Sequence, residues 1–358
     1  MINLNVGNCW DWDFLNEIIR MNDEECSGAN IRTTSLYGSM PFMSASARSS
    51  DRLPSEVTGN PKPLMFQENL IEYVQRAQRH NIAIRYTLNQ SCIGPMQDFA
   101  EYWKSSLSKS IKFLVHEAGV MEYTVTSPLI AELMLDQHPG LWVEVSTICE
   151  VDSPEKIERW YKIGAKGVCL KLDANRNIDL LRDLKNVCEE LGIDIDLLAN
   201  EFCLFGCPWR AECYNLSSHN SYRGPFDSYP FSRCNNIRLE DPAEWIRARF
   251  ILPQWMEFYE KNFGISTFKV TGRTHPPSVV LPIVEKYMKG VAYGNLLDLW
   301  PTVARLGNTV EPKDGTYIDI GEVDKSRNTL LSGMCTNKEC GACDLCARVF
   351  KQASRRPK

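Results

Sequence analysis

The sequence predicts an α/β fold, a (β/α)8 barrel with a cysteine-rich loop after the seventh strand and a cysteine-rich C-terminal extension. Short apolar segments that fit strands alternate with longer segments of helical periodicity over most of the chain. Strict alternation implies parallel strands with right-handed crossovers, and eight units of roughly 30 residues close naturally into a barrel. An open doubly wound sheet is the alternative. No glycine-rich phosphate-binding loop follows any strand, so the sequence has no nucleotide fingerprint.

The eight predicted strands are bounded by turn residues and mix apolar with β-branched positions. They are residues 2–6, 31–37, 82–88, 122–126, 141–147, 167–172, 193–199 and 266–270. The predicted helices are residues 10–21, 69–80, 97–119, 129–137, one that begins at Ser153, 177–191, 242–263 and 278–289. Ser153, followed by Glu155 in the first turn, is a favourable N-terminal cap for a helix, and Pro242 is favourable in the first turn of another. Residues 39–63 form a long predicted loop.

Length and composition bound the architecture. A chain of 358 residues with 44% hydrophobic residues can bury a large core and fits one barrel plus an appendage. We expect residues 1–297 to form the barrel with the cluster loop 203–234, and residues 298–358 to form the C-terminal extension, whose first part to Ser332 reads as a linker.

Charge and hydropathy restrict the partners and the compartment. The net charge of -5 and a pI of about 5.7 argue against general nucleic-acid binding. No segment approaches the ~20 continuous apolar residues of a membrane span. The sequence therefore predicts a cytoplasmic protein without a membrane partner.

The cysteines predict metal binding. In a cytoplasmic chain, 14 cysteines are a poor fit to a disulfide framework. Four of them, the first cysteine group, follow the seventh strand: Cys203, Cys207, Cys213 and Cys234. Iron-sulfur clusters tolerate such split spacing, so a 4Fe-4S cluster is favoured, with zinc or no metal as alternatives. A radical-SAM centre is disfavoured, because its three-cysteine motif follows the first strand of a barrel.

A second set of four, the C-terminal cysteine group, has the compact spacing C-x4-C-x2-C-x2-C. Its members are Cys335, Cys340, Cys343 and Cys346. The first three share the ligand spacing of plant-type ferredoxins. Compact spacing of this kind wraps one cluster or one zinc ion, so the sequence predicts a second 4Fe-4S cluster or a zinc site.

The loops after the strands of such a barrel meet at one catalytic face. The candidate residues there are Glu201, Asn200 and Arg273 as acid/base or substrate groups, and Tyr37, Asn89, His219 and His275 as substrate-binding groups. A carboxylate beside a metal centre can move protons during a reaction. A salt bridge between Glu201 and Arg273 is the structural alternative for this pair.

These motifs resemble the peptidase U32 family. The resemblance rests on the strand end Asn200-Glu201 running into Cys207 and Cys213, on the later Cys234, and on the element 268–273, similar to that family's Lys-Ile-Glu-Gly-Arg. The chain departs from the family pattern in four respects. Cys207 and Cys213 are six apart, where the family has seven positions between its first two cysteines. The chain also has Ala211-Glu212 in place of Ser-Gly, an extra thiol at Cys203, and the C-terminal cysteine group outside the core pattern.

Better understood members of that family are iron-sulfur proteins that hydroxylate tRNA or rRNA bases, or ubiquinone precursors, without dioxygen. The resemblance therefore implies an iron-sulfur enzyme that performs an oxygen-independent redox modification, hydroxylation or sulfur transfer. The expected substrate is a small molecule, a nucleobase or a quinone-like compound, and the expected partners are an electron donor protein or a U32 partner subunit. The alternatives are a metal-dependent U32-type peptidase or hydrolase and a non-catalytic electron-transfer subunit.

Overall fold

A computed structural model describes residues 1–25, 30–39, 67–94, 96–218, 229–301, 317–332, 335, 340 and 342–355. Eight parallel strands form a closed barrel in chain order. The first strand pairs with the second on one side and with the eighth on the other, which closes the ring. The predicted (β/α)8 fold is confirmed.

The strands are short and mostly buried. Their bounds are β1 (Ile2–Gly7), β2 (Ile31–Gly38), β3 (Ala83–Leu88), β4 (Glu122–Val125), β5 (Trp142–Val145), β6 (Gly167–Cys169), β7 (Asp194–Leu198) and β8 (Thr267–Val270). Each lies within or close to a segment predicted from the sequence. Because all the strands run parallel, their carboxyl ends meet at one mouth of the barrel.

The helices lie outside the barrel and in the C-terminal extension. They are α1 (Trp12–Glu25), α2 (Gln67–Arg79), α3 (Met96–Tyr102), α4 (Ser108–His116), α5 (Pro128–Gln137), α6 (Pro154–Ile163), α7 (Ile178–Leu191), α8 (Arg210–Ser218), α9 (Tyr229–Glu240), α10 (Glu244–Arg247), α11 (Met256–Phe263), α12 (Pro277–Met288), α13 (Ile320–Lys325), α14 (Arg327–Leu330) and α15 (Leu345–Ala353). Ser153 caps α6 as predicted, accepting a hydrogen bond from the Lys156 amide.

Two long helices predicted from the sequence are interrupted. A π-helical turn at Trp103–Leu107 separates α3 from α4 within the predicted helix 97–119. The predicted helix 242–263 is wrong as a single element, because the chain leaves the helical conformation after α10. There the Ile251 amide donates to the Ala199 carbonyl at the end of β7 (2.8 Å), a tertiary contact that replaces a helical hydrogen bond.

Two segments predicted to be irregular contain regular structure. The first cysteine group spans α8 and α9, so the expected loop 203–234 is partly helical. The predicted linker to Ser332 contains a short strand, β9 (Tyr317–Ile318), followed by α13 and α14. Strand β9 pairs antiparallel with β10 (Ser354–Arg355) near the C-terminus.

The extension and the barrel share one apolar core. Buried side chains of the extension, among them Ile318, Val323 and Val349, belong to the same contiguous cluster as the barrel interior. The Trp255 indole also donates a hydrogen bond to the Asp324 carboxylate (2.6 Å). No helix in the described part of the chain has the length and apolar character needed to cross a membrane.

Candidate active site at the barrel mouth

A cavity opens at the carboxyl ends of the strands, and we call it the mouth cavity. Its volume is about 130 Å³, close to the ~150 Å³ cavity that accepts one benzene ring in another protein. Its lining includes Tyr37, Thr87, Asn89, Ser146, Thr147, Glu201, Cys203, Tyr214, Lys269, Arg273 and His275. These side chains come from the ends of several strands, as expected for a catalytic face of this fold.

Below the mouth cavity the barrel interior holds a network of charged groups. Lys269 donates to Glu144 (2.6 Å), and Arg85 donates to both Glu144 (2.8 Å) and Asp196 (2.9 Å). Arg85 also pairs with the partly exposed Glu122 (3.1 Å). Buried charges are tolerated only when they are paired and hydrogen-bonded. The network therefore fixes the position of Lys269, whose ammonium lies 4.6 Å from the centroid of the Tyr37 ring.

The two buried carboxyl groups of this network differ in protonation. Burial and the nearby Glu144 carboxylate raise the pKa of Asp196 to about 7. Lys269 and Arg85 overcome the burial of Glu144 and lower its pKa to about 2. When Asp196 is protonated, the network contains two cations, Arg85 and Lys269, and two carboxylates, Glu144 and Glu122. Its charges are then balanced.

The predicted acid/base groups occupy different places. Glu201 lines the mouth cavity, where its Oε1 accepts a hydrogen bond from the Trp300 indole (3.2 Å) and lies 3.8 Å from the Cys203 sulfur. Arg273 also lines it, held by Thr87 Oγ1 (2.6 Å) and Asn89 Oδ1 (3.5 Å). A carboxylate, a thiol and a guanidinium therefore face one small cavity.

Asn200 lies outside the lining of the mouth cavity and is fully buried. Its carboxamide oxygen accepts from the Thr271 amide (2.6 Å), and its nitrogen donates to the carbonyls of Thr271 (3.3 Å) and Leu299 (3.1 Å). The side chain thus ties the end of β7 to the loop after β8. In this position Asn200 holds the backbone of Thr271, two residues before Arg273.

Three of the four predicted substrate-binding residues line the mouth cavity: Tyr37, Asn89 and His275. Burial raises the pKa of the Tyr37 phenol, which donates a weak hydrogen bond to the Val270 carbonyl (3.4 Å). His275 is mostly buried and its carbonyl accepts from the Cys9 thiol (3.4 Å). The fourth, His219, lies outside the described residues.

The first cysteine group lies beside the mouth cavity. Cys203 lines the cavity, Cys207 follows in the same loop, and Cys213 and Cys234 lie on α8 and α9. Burial raises the pKa of the Cys207 thiol, and the nearby Cys234 and Cys213 thiols raise it further. Cys213 and Cys234 therefore both lie near Cys207.

Arginines surround this group. Arg238 donates to the Cys234 sulfur (3.3 Å) and to the Phe202 carbonyl (2.5 Å). Arg210 donates to the Leu204 carbonyl (2.6 Å), and the Cys203 thiol is among the groups that raise the pKa of Arg210. Thiols with cationic neighbours are suited to ligation as thiolates.

The donor set of the first group fits a thiolate-held cluster in its chemistry. Among the residues that the structure describes, however, no three His, Cys, Asp or Glu side chains are arranged to hold a single metal ion. A 4Fe-4S cluster binds each thiolate at a different iron, so its ligands stand further apart than those of a single ion. The predicted metal sites at both cysteine groups stay predictions.

Sequence reasoning did not select Lys269 as a site residue, although it lies within the element 268–273. The sequence does place a lysine between Phe268 and Val270 in a buried strand. Because a charge inside a barrel needs a partner, this lysine could have been identified as part of an interior site. Glu144 and Asp196 carry the same signal in β5 and β7. Thr87 was missed as a lining residue and carries no comparable signal.

Comparisons with known proteins identify a relative. No family model matches the chain. A curated protein of Methanocaldococcus jannaschii, named as an uncharacterized protease, is 28% identical over 308 residues, which cover 83% of this chain and 86% of the relative.

Two solved structures illustrate the structural similarity. The structure of a U32 peptidase is 16% identical with a TM-score of 0.46, and the match covers 64% of this chain and 84% of that one. An α-amylase from Geobacillus thermoleovorans is 11% identical with a TM-score of 0.37, over 77% of this chain and 70% of the other.

Asn200-Glu201 and the element 268–273 carry the resemblance to the peptidase U32 family, and both lie at the barrel mouth. Over most of its length the chain is similar to a curated protein that is named as a protease.

Proposed function

We propose that the protein is an iron-sulfur enzyme that performs an oxygen-independent redox modification, hydroxylation or sulfur transfer, on a small planar substrate. The observation that carries the proposal is the position of Cys203, which lines the mouth cavity and also begins the first cysteine group. A metal centre on Cys203, Cys207, Cys213 and Cys234 would adjoin bound substrate. A 4Fe-4S cluster supplies single-electron transfer when it is bound.

The remaining groups of the mouth cavity bind and orient the substrate. Arg273 and Lys269 give the cavity a positive side that suits an electron-rich or anionic ring, and Tyr37 offers a flat face. Glu201 holds or takes up a proton at Oε1, beside the thiol of Cys203. The size of the cavity supports a single ring, as in a nucleobase or a quinone-like compound.

The polar lining supports an enzyme over a non-catalytic electron-transfer subunit, because electron transfer alone needs no cavity with an acid and a base. Hydroxylation and sulfur transfer both change the oxidation state of the substrate or of the sulfur, so a redox partner has to carry electrons to or from the cluster. We propose an electron donor protein or a U32 partner subunit in that role, and the cytoplasm as the compartment.

Anaerobic purification followed by iron and sulfide analysis tests the proposal. We expect iron and acid-labile sulfide in the wild-type protein, and loss of about four iron atoms per chain in Cys207→Ser and Cys213→Ser. Cys188→Ser, which alters a buried thiol of α7, is the control and should leave the iron content unchanged. An iron content and an activity that are both unchanged from the wild type in the two first-group variants would overturn the proposal.

A peptidase or hydrolase, metal-dependent as the family label suggests, is the second candidate. It is favoured by the name of the curated relative and by the contact between Glu201 and Cys203 at the mouth cavity. Mass spectrometry of a peptide mixture incubated with metal-loaded and chelated protein tests it. Cleavage that is lost in Glu201→Gln, from a preparation without sulfide, would replace the redox proposal by this one.

A further inference from the structure

Two buried arginines lie beside the C-terminal cysteine group. Arg176 ends the short 3-10 helix at Leu172–Arg176, and Arg249 lies just after α10. They are only 1% and 3% exposed. Arg249 donates a hydrogen bond to the Cys335 sulfur (2.9 Å), and Arg176 lies close enough to Cys335 and Cys346 for their charges to interact.

Neither guanidinium is neutralised by a carboxylate among the described residues. Arg176 donates to the carbonyls of Ile246 (2.8 Å) and Phe250 (3.4 Å) and lies 4.5 Å from the Phe250 ring. The Nε atoms of Arg176 and Arg249 are buried without a hydrogen-bond partner in the described part of the chain. A buried cation without a counter-charge is strongly unfavourable. The two charges therefore require negative groups nearby.

The four thiols can supply that negative charge. Cys346 is buried on α15, and the Cys335 sulfur accepts the hydrogen bond from the buried Arg249. The Cys343 amide donates to the Cys340 carbonyl in a tight turn (3.4 Å). Metal binding by such thiols is usually coupled to folding of the segment that carries them.

We propose that Cys335, Cys340, Cys343 and Cys346 bind one metal centre as thiolates, and that Arg176 and Arg249 are its buried counter-ions. On binding, each thiol releases its proton to solvent. Four thiolates around a divalent core, either a zinc ion or a 4Fe-4S unit, leave a charge of about minus two, which the two guanidinium groups offset. No electron transfer is involved in binding.

Arg249 also connects this centre to the first cysteine group. The guanidinium of Arg249 lies 4.0 Å from the ring of Phe205, in the loop between Cys203 and Cys207. A change at the C-terminal centre therefore reaches that loop through one stacked side chain. The proposed centre does not depend on the redox activity proposed for the mouth cavity.

Metal analysis of full-length variants tests the centre. The Cys207→Ser/Cys213→Ser chain disables the first group, and we expect it to retain one metal centre per chain. Zinc without sulfide identifies a zinc site, and iron with acid-labile sulfide identifies a cluster. Cys343→Ser should lose this metal. A first-group variant that contains no metal, and takes up neither zinc nor iron with sulfide, would overturn the centre without deciding the mouth-cavity chemistry.

The counter-ion role is tested with Arg249→Met and Arg176→Met. We expect each to weaken metal affinity about 10- to 100-fold, while Arg249→Lys, which keeps the charge, loses less. In chelated protein the same Met variants should melt no earlier than the wild type, because a buried unpaired charge has been removed. Arg238→Met, a buried arginine beside Cys234, is the control and should leave this site unchanged. If the Met variants lose as much melting temperature in chelated protein as in metal-loaded protein, the counter-ion role of the two arginines is contradicted.

Discussion

Lys269 places a positive charge at the floor of the mouth cavity, between Glu144 and the Tyr37 ring. Replacing it with methionine leaves the Glu144 carboxylate buried with fewer partners. We expect Lys269→Met to lower the free energy of unfolding by about 3–5 kcal/mol, measured by urea denaturation. Lys289→Met, in an exposed pair with Glu285, is the matched control and should change stability little. Similar losses in both variants would contradict the role of the interior network.

Asp196 makes stability depend on pH. Its pKa is raised to about 7 by burial and by Glu144, so the folded protein holds a proton that the unfolded chain releases above about pH 4. Stability therefore falls as pH rises from about 4 to about 7, by at most about 1.4 kcal/mol per pH unit. Glu144, with a pKa of about 2, stays ionised over that range and loses its stabilising contribution only at lower pH.

The Asp196→Asn variant tests this dependence. An asparagine keeps a polar group beside Arg85 and Asn5 but cannot lose a proton. Relative to the wild type, the variant should therefore become more stable with each step from about pH 5 to about pH 8, when unfolding by urea is compared at each pH. A stability difference that is constant across this range would show that Asp196 is ionised throughout.

At the scale of elements, the eight strands could be predicted because buried parallel strands leave apolar runs bounded by turns. The break after α10 could not, since it depends on the bond between Ile251 and Ala199, far apart in sequence. The helices α8 and α9 were hidden by the Gly, Pro and Ser content of the cysteine loop. Glu201 and Arg273, selected from the strand ends, line the cavity, whereas Asn200 is bound to backbone; the catalytic roles of all three stay predictions.

Gly7, at the end of β1, allows the loop after β8 to approach closely. A Cβ atom there would lie 2.7 Å from the Arg273 amide nitrogen, so the backbone of Arg273 has to move. We expect Gly7→Ala to lower the free energy of unfolding by about 1–3 kcal/mol and to displace Arg273 in a crystal structure.

Gly140→Ala is the control for that substitution, because its Cβ would meet only the Met121 methyl group at 3.9 Å. It should change stability by less than about 0.5 kcal/mol. An unmoved Arg273 in the Gly7→Ala structure would show that the approach of the two backbones does not fix the position of this guanidinium.

At the scale of the whole molecule, the boundary predicted near residue 297 falls within a shared core. Leu299 and Trp300 are buried, and the Leu299 carbonyl accepts from Asn200 at the barrel mouth. Residues of the extension complete the same apolar cluster as the barrel. Because the two parts share this core, we expect them to unfold as one cooperative unit.

Truncation after Pro301 removes the part of this core that the extension supplies. We expect residues 1–301 to be insoluble, or to lack a cooperative urea transition, whereas the full chain unfolds in one. Cys343→Ser in the full chain is the matched control, because it disables the C-terminal cysteine group but keeps the apolar contacts of Ile318, Val323 and Val349. It should remain folded with a lower midpoint. A truncated barrel with a midpoint near that of the wild type would mean that the extension is an independent domain, held to the barrel by its metal centre and not by a common core.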